Sequence, residues 1–483
     1  MSQSRPTSER YQEALRFLYD RINYERMASE TARYPFRLHR TYELLRRLDL
    51  EGYLYESGKQ STKPPSNPPV VPTVPLVHIA GTKGKGSTAT MLASILTAAG
   101  LRTGLYTSPH LNDLEERFRI DGQACSHDQF SDLVDHVSVV ACDLEAEDHG
   151  SPSFFELTTA IAILHFHTQK CDAVVLEVGL GGRLDSTNVC APSVTAITSI
   201  GLDHQHVLGD TLAEIAAEKA GILKPSVPVI SGVRGGEAAE VIGQHAGETG
   251  CKLFQLGRDF DFESSPSTEW GSSLRFQGTT PPLSQSIKTV VPLEGSHQSQ
   301  NAALAVAIAT VLRQQGVPIT DQSVHDGLRQ TQCRARIERF RLPGDVTVIV
   351  DAAHNDDSVG ALCDCLDTRF GDRQKSLAVV FGTSRDKSAT SMLDRLVSSA
   401  DELVLTQFQG NPRFTKAADL LPIADKTGCK NVQVIENPID ACRKALESVS
   451  PGGTMVVCGS FFLAAETRPW VIEQSIKNES SCD

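Results

Sequence analysis

Leu76-Val-His-Ile-Ala-Gly-Thr-Lys-Gly-Lys-Gly-Ser-Thr-Ala-Thr-Met-Leu92 runs from an apolar strand through a glycine-rich turn into helix-forming residues. The strand is Leu76 to Ala80. The turn is Gly81, Thr82, Lys83, Gly84, Lys85, Gly86 and Ser87, and the helix is expected to reach Ala99, where Gly100 stops it. In that setting glycines let backbone N–H groups turn inward, the helix N-terminus adds partial positive charge, and Lys85 supplies a full one. The loop therefore reads as a phosphate cradle. Gly86 stands where Ser or Thr usually follows the lysine, so a hydroxyl for magnesium would come from Ser87 or Thr88. For the loop alone, a glycine-rich turn without a ligand is the plain alternative.

Around this stretch lie 483 residues, enough for two domains. An apolar fraction of 40% and a charged fraction of 22% are those of an ordinary soluble globular protein. A formal charge of −13 argues against a nucleic-acid partner, which wants a basic face, but leaves anionic small molecules open. Twelve cysteines are scattered without a CxxC pair or a Cys/His cluster, so a reduced cytoplasmic protein is expected rather than a disulfide or zinc scaffold. Met1 to Arg16 is polar and does not read as a signal peptide. No apolar run approaches the roughly 20 residues that span a bilayer, so no membrane partner is expected.

In chain order, residues 8–29 and 36–50 read as helices, and Ser61 to Pro75 as an extended, mobile connection rich in Pro, Ser and Thr. Arg102 to Tyr106, Ala173 to Val178, Val194 to Ile200 and Val227 to Ile230 read as strands. Helices alternate with them at about 127–147, 155–169 and 211–221, with Ser126 as a cap. Gly250 to Pro292 reads as a small antiparallel excursion with little chemistry, and Asn301 to Gln315 as a long helix. Further strands follow at Val346 to Val350, Ser376 to Val380, Glu402 to Thr406, Val432 to Ile435 and Thr454 to Val457. Apolar strands alternating with helices predict an α/β protein: a P-loop domain with a doubly wound parallel sheet over residues 1–333, then a smaller Rossmann-like α/β domain over 337–483.

Ligands of open parallel sheets bind outside the carboxyl ends of the strands. Gly81 to Ser87, Ser108, Glu177, Asp203-His204 and Asp351-Ala-Ala-His354-Asn355 all fall at such ends. Singly, Glu177 could be a buried acid paired with Arg183, His204 a core histidine, and Asp351 the cap of a helix starting near Asp356. Together they describe a nucleotide site with a hard cation such as magnesium. Gly179-Leu-Gly181-Gly182 lacks the third glycine of a dinucleotide fingerprint.

Several strings stand in the order seen in one enzyme family. They are Gly81-Thr-Lys-Gly-Lys-Gly-Ser87, Thr107-Ser-Pro-His-Leu111, Glu116-Arg-Phe-Arg-Ile120, Ser153-Phe-Phe-Glu156, Leu176-Glu-Val-Gly-Leu-Gly-Gly-Arg-Leu-Asp-Ser-Thr-Asn188, Gly201-Leu-Asp-His204, Glu218-Lys-Ala-Gly-Ile222 and Asp351-Ala-Ala-His-Asn355. The chain resembles folylpolyglutamate and dihydrofolate synthases, within the group that includes the Mur ligases, from about residue 10 to 470. Lys83 replaces the commoner asparagine, and the linker reads Cys333-Arg-Ala-Arg336 in place of Trp-Pro-Gly-Arg.

The resemblance implies an ATP- and magnesium-dependent ligase joining L-glutamate by an amide bond to a pteroate or folate carboxylate through an acyl phosphate. Lys85 would neutralise the transferring phosphoryl group. Ser87 and Glu177 would hold one magnesium, and Ser108, Glu177 and His204 a second. Asn301, Arg336 and Asp351 correspond to nucleotide contacts that close the second domain over ATP, and His354 belongs to that edge as a catalytic candidate. Lys219 corresponds to a carbamylated lysine. The pterin end would lie near Ser153, Phe155, Leu184, Asp185 and Ser186, with Phe155 as a stacking face and Asp185 as an acceptor. A bifunctional enzyme acting on dihydropteroate and reduced folates is expected, as a monomer. A purely chain-extending synthase is the rival, and a P-loop NTPase without ligation the remote one.

Overall fold

The computed structural model describes residues 7–22, 38–55, 74–147, 150–371, 376–397, 400–428 and 431–479. Most of the Pro-rich connection, 61–73, lies outside them, as does 23–29 of the first expected helix. Two compact units are present. The first comprises Met1–Ser264, Ser273–Val291 and Gln298–Thr331, and the second Ser265–Ser272, Pro292–His297 and Gln332–Asp483.

The first unit carries an eight-stranded sheet of β1 (Leu76–Ala80), β2 (Thr103–Tyr106), β3 (Phe118–Ile120), β4 (Gln123–Ala124), β5 (Ala173–Glu177), β6 (Val194–Ile197), β7 (Val229–Ser231) and β8 (Leu253–Gln255). Its order is β4-β3-β2-β5-β1-β6-β7-β8. The strands from β2 to β8 in that order pair in parallel, while β3 and β4 add an antiparallel edge that the sequence reading did not include. β1 lies centrally, with all five of its residues buried, four of them apolar and the fifth, His78, bonded to Thr187. Leu76, Val174 and Leu176 enter one apolar cluster with Phe154 and Phe166 of the helix Phe154–Thr168. The alternate residues Val77, Ile79 and Val175 are equally buried, so both faces of the sheet are covered.

A three-stranded sheet follows, of β9 (Phe260–Pro266), β10 (Ser272–Gly278) and β11 (Ser286–Val291) in the order β11-β10-β9. The second unit's sheet comprises β12 (Glu338–Leu342), β13 (Val346–Val350), β14 (Leu377–Phe381), β15 (Glu402–Leu405), β16 (Val432–Val434) and β17 (Thr454–Cys458), in the order β12-β13-β17-β14-β15-β16. Only β12 runs antiparallel to its neighbour. Sequence alternation did not reveal β12, whose Glu-Arg-Phe-Arg-Leu has the charged composition of a sheet edge. No helix of the described residues is long and apolar enough to cross a membrane.

Candidate active site

The turn after β1 needs its glycines for geometric reasons. Gly81 (φ 151°) and Gly84 (φ 85°) occupy backbone regions that disfavour side chains. A Cβ on Gly81 would lie 1.9 Å from Thr198 Oγ1, and one on Gly84 would lie 2.2 Å from Asn301 Oδ1. Asn301, buried in the helix Ser296–Gln314, is thus packed directly on the loop, with its Nδ2 donating to Gln298 Oε1 at 3.1 Å. The helix Lys85–Ala98 begins at the turn, so the N–H groups of its first residues lack acceptors within the helix. Thr82 and Lys83 are committed elsewhere: the Thr82 N–H donates to the Ser199 carbonyl (2.8 Å) and the Lys83 N–H to Ser199 Oγ (2.9 Å). Lys85 Nζ donates to the Gly81 carbonyl at 3.0 Å. Burial holds its ammonium below the usual lysine pKa, and the nearby Glu177 carboxylate opposes that shift.

Register sets Glu177 beside this turn, because Ile79 pairs with Glu177 across the parallel ladder. Its carboxylate accepts from the Ser108 N–H at 3.0 Å. It also explains Gly86, since a Cβ there would sit 3.2 Å from Glu177 Oε2. Ser87 retains 6% exposure and Thr88 none, so Ser87 is the better placed hydroxyl. A buried carboxylate against the first turn of a helix, with hydroxyl oxygens nearby, suits magnesium, which keeps waters and takes few protein ligands. Among the described residues no group of three or more His, Cys, Asp or Glu comes together, so they build no zinc-type cage. His204 is not a core histidine: its side chain is half exposed and it sits in a left-handed conformation (φ 50°). Arg183 pairs with Glu218 at 2.8 Å, which removes it as the expected partner of Glu177.

Past β5 the chain folds over Asp185. Asp185 Oδ2 accepts from the N–H groups of Gly179 and Leu180, each at 3.0 Å, and Oδ1 from the Thr187 N–H and hydroxyl. All four acceptor positions of the carboxylate are therefore occupied. Asp185 shapes the loop, and accepting from a ligand would require breaking one of these bonds. Burial raises its pKa and the four donors oppose that rise. Leu184 and Ser186, half-buried, flank it. Phe155 packs on Gly179, where a Cβ would lie 3.1 Å from its ring, and the Arg117 guanidinium lies 5.8 Å from the ring centroid. Ser153 is buried as the N-cap of Phe154–Thr168: its Oγ accepts from the Glu156 N–H, and Glu156 accepts from the Ser153 N–H.

Lys219 lies in the last turn of the helix Leu212–Ala220 and is 4% exposed, not a solvated surface lysine. Burial, with Lys85 adding repulsion, lowers its pKa to about 7. Lys224, which sequence reasoning missed, supports this region through Asn188, the last residue of the long family string. Lys224 Nζ donates to the Asn188 carbonyl (2.9 Å) and Oδ1 (2.7 Å), and Asn188 Nδ2 donates to the Arg183 and Gly221 carbonyls. A lysine inside an otherwise apolar helix-to-strand turn was the available signal.

In the second unit, Asp351 follows β13 and is buried. Its carboxylate accepts from the Ile337 N–H (2.6 Å) and the Ala353 N–H (2.8 Å). Asn355, not Asp351, caps the helix Asp356–Phe370. Arg336 is half-buried between two left-handed residues, Ala335 and Ile337 (φ 50° each), and its charge opposes the burial-driven rise in the Asp351 pKa. His354 Nδ1 donates to the Ala352 carbonyl at 2.9 Å, which leaves the lone pair on Nε2 in the neutral ring.

Residues 79–309 match the Mur ligase middle domain, and 335–461 the Mur ligase glutamate ligase domain. The folylpolyglutamate synthase of Lacticaseibacillus casei is 33% identical over 399 residues, covering 81% of this chain and 89% of that protein. The dihydrofolate synthase/folylpolyglutamate synthase of Bacillus subtilis is 34% identical over 397 residues, with the same coverages of 81% and 89%. Among solved structures, Mycobacterium tuberculosis folylpolyglutamate synthase complexed with ADP superposes with a TM-score of 0.81 at 28% identity, covering 96% of this chain and 99% of that one. E. coli FolC in complex with DHPP and ADP gives 0.77 at 26% identity, covering 97% and 99%.

Proposed function

The chain belongs to the folylpolyglutamate synthase and dihydrofolate synthase family of Mur ligases, and from that premise we propose an enzyme that adds L-glutamate both to dihydropteroate and to reduced folates. The observation that carries the site assignment is the juxtaposition of Lys85, Glu177 and the first turn of the helix Lys85–Ala98, with Gly86 pressed against the carboxylate. In the proposed reaction the substrate carboxylate attacks the γ-phosphorus of ATP and ADP leaves. The glutamate amine then attacks the acyl carbon, and phosphate departs from the tetrahedral intermediate. Lys85 offsets charge on the transferring group, and the N–H groups of Gly86 and Ser87 orient its oxygens. Magnesium, held by Ser87 and Glu177 and as a second ion by Ser108, Glu177 and His204, would supply further charge neutralisation.

Lys219 is proposed to carry a carbamate. A lysine pKa of about 7 provides the neutral amine that adds carbon dioxide with loss of a proton, and burial shields the product. Asn301, Arg336, Asp351 and His354 are proposed to serve the nucleotide. Phe155, Leu184, Ser186, Ser153 and Asp185 are proposed for the pterin end, the last two through the loop and helix start that they fix. A monomer in the cytoplasm completes the proposal, the compartment being supported by ten free thiols among the described residues.

The test supplies purified protein with ATP, magnesium and glutamate plus either dihydropteroate or tetrahydrofolate. Turnover with both is expected. Turnover with tetrahydrofolate alone favours the chain-extending synthase, and ATP hydrolysis indifferent to acceptor and glutamate overturns ligation. Lys85→Ala should reduce turnover to background while leaving the unfolding transition in place.

A further inference from the structure

The loop between β6 and the helix Leu212–Ala220 carries His204, and its apolar anchor lies at the far end, in the buried Leu208. Leu202 is 55% exposed and Val207 43%. Polar stitches to the phosphate loop hold its start instead. The Thr82 hydroxyl donates to the Gly201 carbonyl and accepts from the Gly201 N–H (3.2 and 3.0 Å). The Lys83 carbonyl accepts from the hydroxyls of Thr198 (2.6 Å) and Ser199 (3.0 Å). The outermost stitch is ionic: Lys83 Nζ lies 3.0 Å from Asp203 Oδ2. The other oxygen of the same carboxylate, Oδ1, accepts from the His204 N–H at 3.1 Å.

We propose that Lys83 is a positioning residue, which through Asp203 fixes the backbone of His204 and so the direction in which its imidazole is presented. The proposal rests on the ligase reading of His204 for its functional meaning, but not for its geometry. Three features of the unit support it. His204 is in a left-handed conformation, which a non-glycine residue keeps only when its surroundings impose it. Asp203 engages both ends of the pin with its two oxygens, Oδ2 with Lys83 Nζ and Oδ1 with the His204 N–H, so a change at one oxygen is passed to the other. Lys83 has its own N–H and carbonyl committed to Thr198 and Ser199, so its side chain projects from a fixed base.

The test compares Lys83→Met, Lys83→Arg and Asp203→Asn with the unaltered protein. Hydrogen exchange is followed over residues 199–209, and Mn2+ binding by electron paramagnetic resonance in the presence of a non-hydrolysable ATP analogue. Lys83→Met and Asp203→Asn should both speed exchange in 201–209 and weaken Mn2+ by about tenfold, the size typical of an outer partner of a metal ligand. Lys83→Arg should keep both readouts near the original. Asp203→Asn removes the far end of the pin without altering the phosphate loop, and so decides the matter if Lys83→Met fails to fold. Unchanged exchange in Asp203→Asn would overturn the proposal. So would a Lys83→Met protein that loses affinity for the nucleotide analogue alone, since Lys83 would then be a direct phosphate contact. Exchange judges the pin even in a protein that takes no metal, which keeps it separate from the ligase assignment.

Discussion

Gly86 and His78 show how single positions are set by what lies across the sheet. A Cβ at Gly86 would press on the end of the Glu177 side chain, which can swing away at little cost to folding. Gly86→Ala should therefore lower kcat by about 10- to 100-fold through displacement of that carboxylate, with thermal unfolding nearly unchanged. Equal losses in both measurements would count against it. The departure from the common P-loop pattern was visible in the sequence, but its cause was not, because Glu177 is 91 positions away and meets Gly86 only through strand pairing. His78 gave no signal beyond being polar in an apolar strand. Its Nε2 lies 2.7 Å from Thr187 Oγ1, and burial lowers its pKa to about 3. The unfolded chain takes up this proton near the ordinary histidine pKa of 6.5 and the folded chain refuses it. Stability is thus fully present above pH 6.5 and falls as pH drops toward 3, by up to about 1.4 kcal/mol per unit. His165 and His297, both lowered to about 4, act in the same sense. Urea midpoints between pH 7 and 4 should show this slope, reduced in His78→Gln.

At the scale of elements, the helix Phe154–Thr168 is buried along almost its whole length and starts at a capping box. Ser153-Phe-Phe-Glu156 was legible in the sequence as a family string attached to the substrate. In the fold Ser153 and Glu156 cap each other, and Glu156 also takes a two-pronged pair of bonds from Arg40 (3.0 and 3.1 Å), both side chains at most 8% exposed. Arg40 belongs to the helix Leu38–Arg47 and gave no local signal, because a buried ion pair is a property of two elements and neither element alone displays it. Glu156→Gln removes the carboxylate charge that faces the buried Arg40 guanidinium and should cost about 3–5 kcal/mol in chemical denaturation. Arg40→Leu combined with Glu156→Leu should recover part of that loss, and strict additivity of the two single changes would exclude coupling.

Across the whole molecule, alternating apolar strands and helices gave away both parallel sheets, since strands buried on two faces leave an unmistakable pattern. Non-local membership stayed hidden. Residues 250–292 read as an excursion with little chemistry, yet Ser265–Ser272 and Pro292–His297 belong to the second unit. There Trp270 has the Arg339 guanidinium 4.9 Å from its ring centroid and that of Arg369 5.8 Å away, with Phe370 at 6.5 Å. Arg369 in turn binds Glu294 at 2.6 Å. Trp270→Ala should lower stability by about 2 kcal/mol, read in the unfolding transition by fluorescence of Trp470 or by circular dichroism. The unit is thus assembled from three separate stretches of chain. For recombination within the family this has a direct cost: exchanging the segment from Gln332 onward between two relatives would graft a sheet while leaving behind Trp270 and Glu294, the partners of its Arg369. Chimaeras cut at that single linker should therefore inherit a mismatched seam, and viable ones should carry the two short upstream segments from the same parent.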